Sequence, residues 1–252
     1  MLPELLIICP LVFLAGFVDS IAGGGGLIAL PAYLLAGLPP HTAIGTNKFS
    51  STFGTSISVI RFARKGKINL PTVAPAVVFA LIGAFSGARV VYFLSERVLQ
   101  VVLMVMLPLM AVFILTRKSL NDDMPRETLP AGKAVMLSAL VGLAVGLYDG
   151  FFGPGSGTFL IILFFFLVKL DLGTAMGNSR VVNLAANLAA MLSWLISGKI
   201  IFEIGIPAAI CGMLGHYIGS GLALRNGAKI VRPIMAAVLV LLLGRIAYDF
   251  FF

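Results

Sequence analysis

The stretch Gly16-Phe17-Val18-Asp19-Ser20-Ile21-Ala22-Gly23-Gly24-Gly25-Gly26 decides how this chain is read. It lies within an apolar run over about residues 3–37, roughly 35 residues, or about 52 Å if helical throughout. One membrane crossing needs about 20 apolar residues, because the hydrocarbon core is about 30 Å thick. The run is too long for one crossing, and glycines interrupt it near its middle. A second stretch, Gly146-Leu147-Tyr148-Asp149-Gly150-Phe151-Phe152-Gly153-Pro154-Gly155-Ser156-Gly157, interrupts another long run at about 132–169 in the same way. Each run is a broken helix, a re-entrant hairpin or a pair of short spans.

Outward from these breaks, six further apolar stretches lie at about 45–63, 71–94, 97–116, 174–197, 203–223 and 231–252, each of a length for one crossing. The composition agrees: 60% of the 252 residues are hydrophobic and 11% charged. A soluble domain averages about 45–50% apolar and about 25% charged residues. An ordinary soluble enzyme, a disordered chain and a nucleic-acid-binding module are thereby excluded. The net charge of +8 reads as Lys and Arg in cytoplasmic loops, and it also suits an anionic substrate. Cys9 and Cys211 lie in apolar runs with no spacing for zinc or a disulfide framework, so no metal or cofactor is expected. The N-terminus has no basic lead-in and carries Glu4, which reads as membrane body rather than a cleaved signal.

One long broken segment followed by three ordinary ones occurs twice. Gly16 and Asp19 match Gly146 and Asp149, and the glycine runs follow in step. Gly66-Lys67-Ile68 matches Gly198-Lys199-Ile200, and Gly83/Gly87 match Gly215/Gly219. Asn47 is paired with Asn178, which leaves Lys48 and Arg180 at non-identical repeat positions. The expected architecture is all-α and polytopic. It has an N-terminal repeat at 1–120, a polar connector at 121–131 and a C-terminal repeat at 132–252. If each long segment leaves and returns on one side, twelve Lys and Arg residues, among them Arg61, Arg64, Lys65 and Lys67, fall on one side. Four fall on the other: Arg89, Arg97, Lys199 and Arg245. A parallel arrangement splits them ten to six, so the inverted arrangement fits the positive-inside rule better.

Glycine breaks at equivalent places in two halves are a sequence pointer to a transporter's central site. A helix restarting after a break presents unpaired N–H groups and a positive dipole end, which suit an anion. The expected substrate contacts are the backbone at Gly24, Gly25, Gly26, Gly155, Ser156 and Gly157, with Asn47, Lys48, Asn178 and Arg180. Asp19 and Asp149, one beside each break, either couple transport to a proton or cation or hold the loops in shape. Lys48 and Arg180 either meet the anion or pair with those carboxylates. Polar stripes at helical spacing, Asn47/Ser51/Thr55/Ser58 and Ser179/Asn183/Asn187, are expected to line a cavity. Gly83, Gly87, Gly215 and Gly219 read as helix-packing positions. His216 reads as a hydrogen-bonded packing residue with a proton relay as the alternative, and His41 as interfacial. Trp194 and Tyr248 are expected at the aromatic belt. No nucleophile–base triad or paired carboxylates suggest hydrolysis, so no enzymatic activity is expected.

The chain resembles the sulfite exporter TauE/SafE family, also grouped as toluene-sulfonate uptake permeases. The resemblance is carried by Gly16-x-x-Asp19-x-x-Ala22-Gly23-Gly24-Gly25-Gly26-x-x-x-x-Pro31 and Ala43-x-Gly45-Thr46-Asn47, with the echo Gly146-x-x-Asp149-Gly150-x-x-Gly153-Pro154-Gly155-Ser156-Gly157 and Ala175-x-Gly177-Asn178-Ser179. In the second half Phe159-Leu160-Ile161 stands where such segments often carry a proline like Pro31. The resemblance implies a multi-pass permease of a prokaryotic inner membrane, moving sulfite, sulfonates or related sulfur-containing anions. The implied partners are a small anion and the lipid bilayer, with a coupling proton or cation and a homo-oligomer both compatible and no nucleic acid. The alternatives are a passive anion channel and an intramembrane lipid-pyrophosphate phosphatase.

Overall fold

The computed structural model describes residues 2–116 and 129–226. The connector up to residue 128 and the last apolar stretch, 231–252 with Tyr248, lie outside the described residues. The described residues form an all-helical fold: α1 (Leu2–Ala22), α2 (Gly26–Leu35), α3 (Pro40–Arg64), α4 (Leu70–Tyr92), α5 (Glu96–Thr116), α6 (Ala131–Phe151), α7 (Ser156–Phe166), α8 (Leu172–Ile196) and α9 (Phe202–Asn226). Helices α1, α4, α6, α8 and α9 are long and apolar enough to cross a membrane. Their outward faces carry apolar side chains such as Ile82, Leu140, Ile210 and Leu214, each more than half exposed. That pattern suits lipid rather than water as the surrounding solvent. The apolar helices α2 and α7, of 10 and 11 residues, are too short to cross.

Two small-residue seams hold the bundle. Along α4 and α6, added Cβ atoms at Gly83 and Gly87 would strike the backbone of Leu143 to Phe151, and those at Gly142, Gly146 and Gly150 that of Ala76, Ala80 and Ala84. Along α1 and α9, Gly215 and Gly219 face the backbone of Phe13 and Phe17, and Gly16 faces that of Gly212. Small residues let helix backbones approach closely and gain dispersion contact without a hydrophobic driving force from water. In both seams the contacts advance in the same direction along each chain, so α1 runs parallel to α9 and α4 parallel to α6. Gly83, Gly87, Gly215 and Gly219 are thus the packing positions their spacing suggests.

The long central helices α3 and α8 begin where the other ends. Gly45, near the start of α3, abuts the carbonyl of Lys199 just past α8, and Gly177, near the start of α8, abuts that of Lys67 just past α3. The two helices are therefore antiparallel. Each also ties down the next helix of the opposite half. Thr46 Oγ1 accepts from Ile201 N at 3.1 Å, and Asn178 Oδ1 accepts from Asn69 N at 2.9 Å. Asn69 in turn caps α4 by accepting from Thr72 N, and Asp171 caps α8 by accepting from Thr174 N.

By these contacts Asn178 matches Thr46 and not the expected Asn47, because both accept the N–H group that starts the following helix. Lys48 and Arg180 each follow two residues further on. A second correction concerns Trp194, which is 1% exposed and packs against His41 and Tyr92 instead of lying at a lipid-facing belt. His41 is likewise buried, with Nε2 at 3.3 Å from the Val91 carbonyl oxygen and Nδ1 at 3.6 Å from Glu96.

Candidate functional site

The two glycine breaks meet in the middle of the bundle. After α1 the chain turns at Gly23, where φ is +82°, and α2 folds back so that Gly25 lies against Ala15 and Asp19. After α6 it turns at Gly153 and Gly155, with φ of +94° and +86°. The Tyr148 hydroxyl holds that turn by donating to the Pro154 carbonyl at 2.7 Å. The tips then touch, backbone to backbone. Thr158 N donates to Gly23 O at 3.2 Å, and Thr158 Oγ1 donates to Ala22 O at 2.6 Å. A Cβ at Gly23 would overlap Gly157 and Thr158, and the positive φ itself disfavours any side chain. Gly157 is thus committed to the contact between the tips.

Beside this contact lies a cavity with about 40 Å³ of water-accessible space, enough for a few water molecules. Its walls include Asp19, Gly25, Gly26, Asn47, Lys48, Asp149, Gly155 and Ser156, all singled out by the sequence. The polar stripes contribute Ser51 and Thr55 from α3 and Asn183 and Asn187 from α8, as their helical spacing suggests. Ser58 of the first stripe instead bonds His216, and Ser179 of the second bonds its own helix at Met176 O. Gly24, Gly157, Asn178 and Arg180 do not line the cavity. The Asn178 amide is used up between Asn69 N and Thr72 Oγ1. Sequence reasoning missed Ser50, which lines the cavity while bonding Tyr33, and Gly212, whose position on the α1–α9 seam no local motif marks.

Four charged groups, two from each half, meet here and pair across the halves. Lys48 Nζ donates to Asp149 Oδ2 at 2.6 Å and to Asn187 Oδ1 at 3.0 Å. Asn187 donates to Asn183 Oδ1 at 3.3 Å, and Asn183 to Ser156 Oγ at 3.1 Å. Ser156 Oγ donates to Asp149 Oδ1, which closes a ring of five side chains. Every member lines the cavity, and each donor used has an acceptor within the ring. A buried lysine is tolerable only with such pairing.

The second pair is built differently. Arg180 is fully buried, and its Nη1 donates to Asp19 Oδ2 at 3.0 Å and to Asp19 O at 2.7 Å. Asp19 Oδ1 accepts from Gly25 N at 3.2 Å, so this carboxylate caps the first break. The guanidinium sits behind the carboxylate, away from the cavity, with Nε and Nη2 making no hydrogen bond. On the cavity side, His216 Nε2 lies 3.9 Å from Asp19 Oδ2, and His216 Nδ1 is 2.9 Å from Ser58 Oγ. His216, read from the sequence mainly as a packing residue, is therefore both hydrogen-bonded and part of the cavity wall. No group of three or more His, Cys, Asp or Glu among the described residues is arranged to hold a metal ion.

Comparison with known proteins places this arrangement among membrane transporters. The sulfite exporter TauE/SafE family matches residues 8–246. The probable membrane transporter protein ORF9 of Sinorhizobium sp is 34% identical over 238 residues, covering 94% of this chain and 90% of the relative. The probable membrane transporter protein YfcA of Escherichia coli K12 is 33% identical over 236 residues, covering 94% and 87%. The probable membrane transporter protein YdhB of Bacillus subtilis is 24% identical over 216 residues, covering 86% and 87%. No solved structure matches the chain.

Proposed function

The chain belongs to the sulfite exporter TauE/SafE family, and from that premise we propose that it is a secondary transporter for a small oxyanion, sulfite or a sulfonate foremost, working by alternating access at the central cavity. The observation that carries this reading is Lys48. It is a buried ammonium on the cavity wall, held by Asp149 and ringed by the amides of Asn183 and Asn187 and the hydroxyl of Ser156. An entering anion takes the third N–H of Lys48, beside Asp149 and Asn187, and the neighbouring amides supply its remaining hydrogen bonds. Gly25, Gly26 and Gly155 let it approach the backbone closely.

In this reading Asp19 and Asp149 first of all hold the breaks in shape, Asp19 through Gly25 N and Asp149 through Ser156. Arg180 is a positioning residue behind Asp19. The protein comprises two inverted halves. Supporting this are the antiparallel α3 and α8, the exchanged seams of α1 on α9 and α4 on α6, and the two hairpin tips that meet between them. The charge distribution supports an orientation in an inner membrane. Arg61, Arg64, Lys65, Lys67, Lys133, Lys169 and Arg225 lie at one end of the bundle, against Arg89, Arg97 and Lys199 at the other. The end rich in Lys and Arg faces the cytoplasm. A lipid-pyrophosphate phosphatase would need Ser156 and Arg180 presented together at one mouth. Here Ser156 is bound into the ring and Arg180 is buried behind Asp19.

Flux measurements in proteoliposomes test this. The panel is sulfite, thiosulfate, short sulfonates and short carboxylates, each with and without a pH gradient. Saturable flux of a sulfur oxyanion, lost in Lys48→Ala, is the expected result. Flux undiminished in that variant, or none for any anion in folded, oriented protein, removes the reading.

A further inference from the structure

We propose that His216 takes up one proton for each monovalent anion that enters the cavity, so that anion and proton occupy the site together. This rests on the anion reading above and adds the identity of the proton acceptor. The argument is one of charge. The carboxylates Asp19 and Asp149 and the cations Lys48 and Arg180 sum to zero. In the empty cavity an imidazolium would be a fifth, unbalanced charge, and His216 is only 4% exposed. A monovalent anion entering the same space leaves an excess of one negative charge in a poorly solvated site, which is unfavourable. One proton on His216 removes that excess. Anion and proton therefore favour each other's binding, and this reciprocity is thermodynamic.

The geometry suits the imidazole to this role better than either carboxylate. Asp149 has both oxygens engaged, by Lys48 and by Ser156. Asp19 has both oxygens engaged, by Gly25 N and by Arg180. His216 makes its bond to Ser58, whose hydroxyl can donate to or accept from Nδ1. The bond survives either protonation state. Its other nitrogen, Nε2, faces Asp19 Oδ2 at 3.9 Å, close enough for a charge interaction when protonated and too far for a hydrogen bond.

Among the described residues, the helices packed on α9 are α1 and α3. From α1 the carboxylate that faces His216 is Asp19. From α3 come Ser58, Lys48, which is occupied by Asp149, and Arg61, which turns to the Tyr217 carbonyl further along α9. Arg180 of α8 is reached only through Asp19. At the equivalent place in the first half stands Ala84, buried against the backbone of Gly150. The site therefore has one such acceptor, not two.

The chain has only two histidines, so nitrogen-labelled histidine resolves the question directly by NMR in nanodiscs, with His41→Asn assigning the two signals. The expected result is a neutral His216 ring near neutral pH without anion and a protonated ring when saturated with a transported monovalent anion. This readout does not depend on whether the anion itself titrates. The binding of methanesulfonate, which stays singly charged, provides a second. Its affinity for the unaltered protein should fall by about tenfold per pH unit on the alkaline side. In His216→Gln that slope should flatten. An anion that the protein transports and that leaves His216 neutral overturns the proposal, as does an unchanged slope in His216→Gln. Should that variant fail to fold, the NMR experiment on the unaltered site still decides. If no anion of the panel binds or moves, the anion reading itself falls, a different result from binding without proton uptake.

Discussion

The pairs Lys48–Asp149 and Arg180–Asp19 each join the two halves of the chain, yet the cavity receives both members of the first and only the carboxylate of the second. In the first the ammonium lines the wall and takes part in a closed ring of hydrogen bonds. In the second the carboxylate faces the space, with 16% of its side chain exposed, and the guanidinium lies fully buried behind it. Two pairs of like composition thus differ in what they place on the cavity wall, a buried cation in one and a carboxylate facing a histidine in the other. Residues of like charge need not share a role. Which atoms reach the cavity distinguishes them, and the repeat pattern does not.

The sharpest way to break this comparison is Lys48→Ala. It should abolish flux and destabilise the fold by about 3–5 kcal/mol, because Asp149 is left buried and unpaired. Lys48→Ala with Asp149→Asn should recover most of the stability, followed by thermal unfolding in detergent, and none of the flux. Recovered flux would mean that Lys48 serves only to neutralise Asp149. Next in size is Gly23→Ala, where strain at a φ of +82° adds to overlap with Gly157 and Thr158. The combined destabilisation should be about 3 kcal/mol.

Arg180→Lys keeps the charge but gives up the planar guanidinium whose Nη1 donates to both the carboxylate and the carbonyl of Asp19. A loss of about 2 kcal/mol is expected, with reduced but measurable flux. Complete loss of flux in an otherwise folded Arg180→Lys protein would promote Arg180 to a ligand contact and erase the distinction between the pairs. The smallest effect belongs to Gly37→Ala. Its φ of +86° resembles that of Gly23, but nothing lies within 4 Å of an added Cβ. A loss of about 1 kcal/mol and unchanged flux would separate backbone strain from the contact between the tips.

Much of this architecture was legible in the sequence. Length and glycine placement located both breaks, and helical spacing put Ser51, Thr55, Asn183 and Asn187 on the cavity wall. Small residues at four-residue intervals marked the seams. Matching letters pair Asn47 with Asn178, but the contacts pair Asn178 with Thr46. Thr46 and Asn178 do the same work through different chemistry, a hydroxyl or an amide oxygen accepting one N–H. The depth of a side chain was equally hidden. Trp194 looks like an interfacial residue by composition, but a neighbouring helix end covers it. Arg180 and Lys48 have similar sequence surroundings, and only the contact of Arg180 with Asp19 shows which of them is screened from the cavity.

The contact of Gly23 with Gly157 and Thr158 also has an electrical meaning. If, in the proposed carrier, water reaches this contact from both faces, the barrier between the two aqueous phases is as thin as the contact itself. Under that condition the membrane voltage drops mainly over that barrier. A lone monovalent ion crossing it would feel nearly the full field, about 2.3 kcal/mol per 100 mV. An anion crossing with one proton carries no net charge and should be indifferent to it. Flux that stays constant when a potassium diffusion potential is imposed, yet follows a pH gradient, is the expected signature.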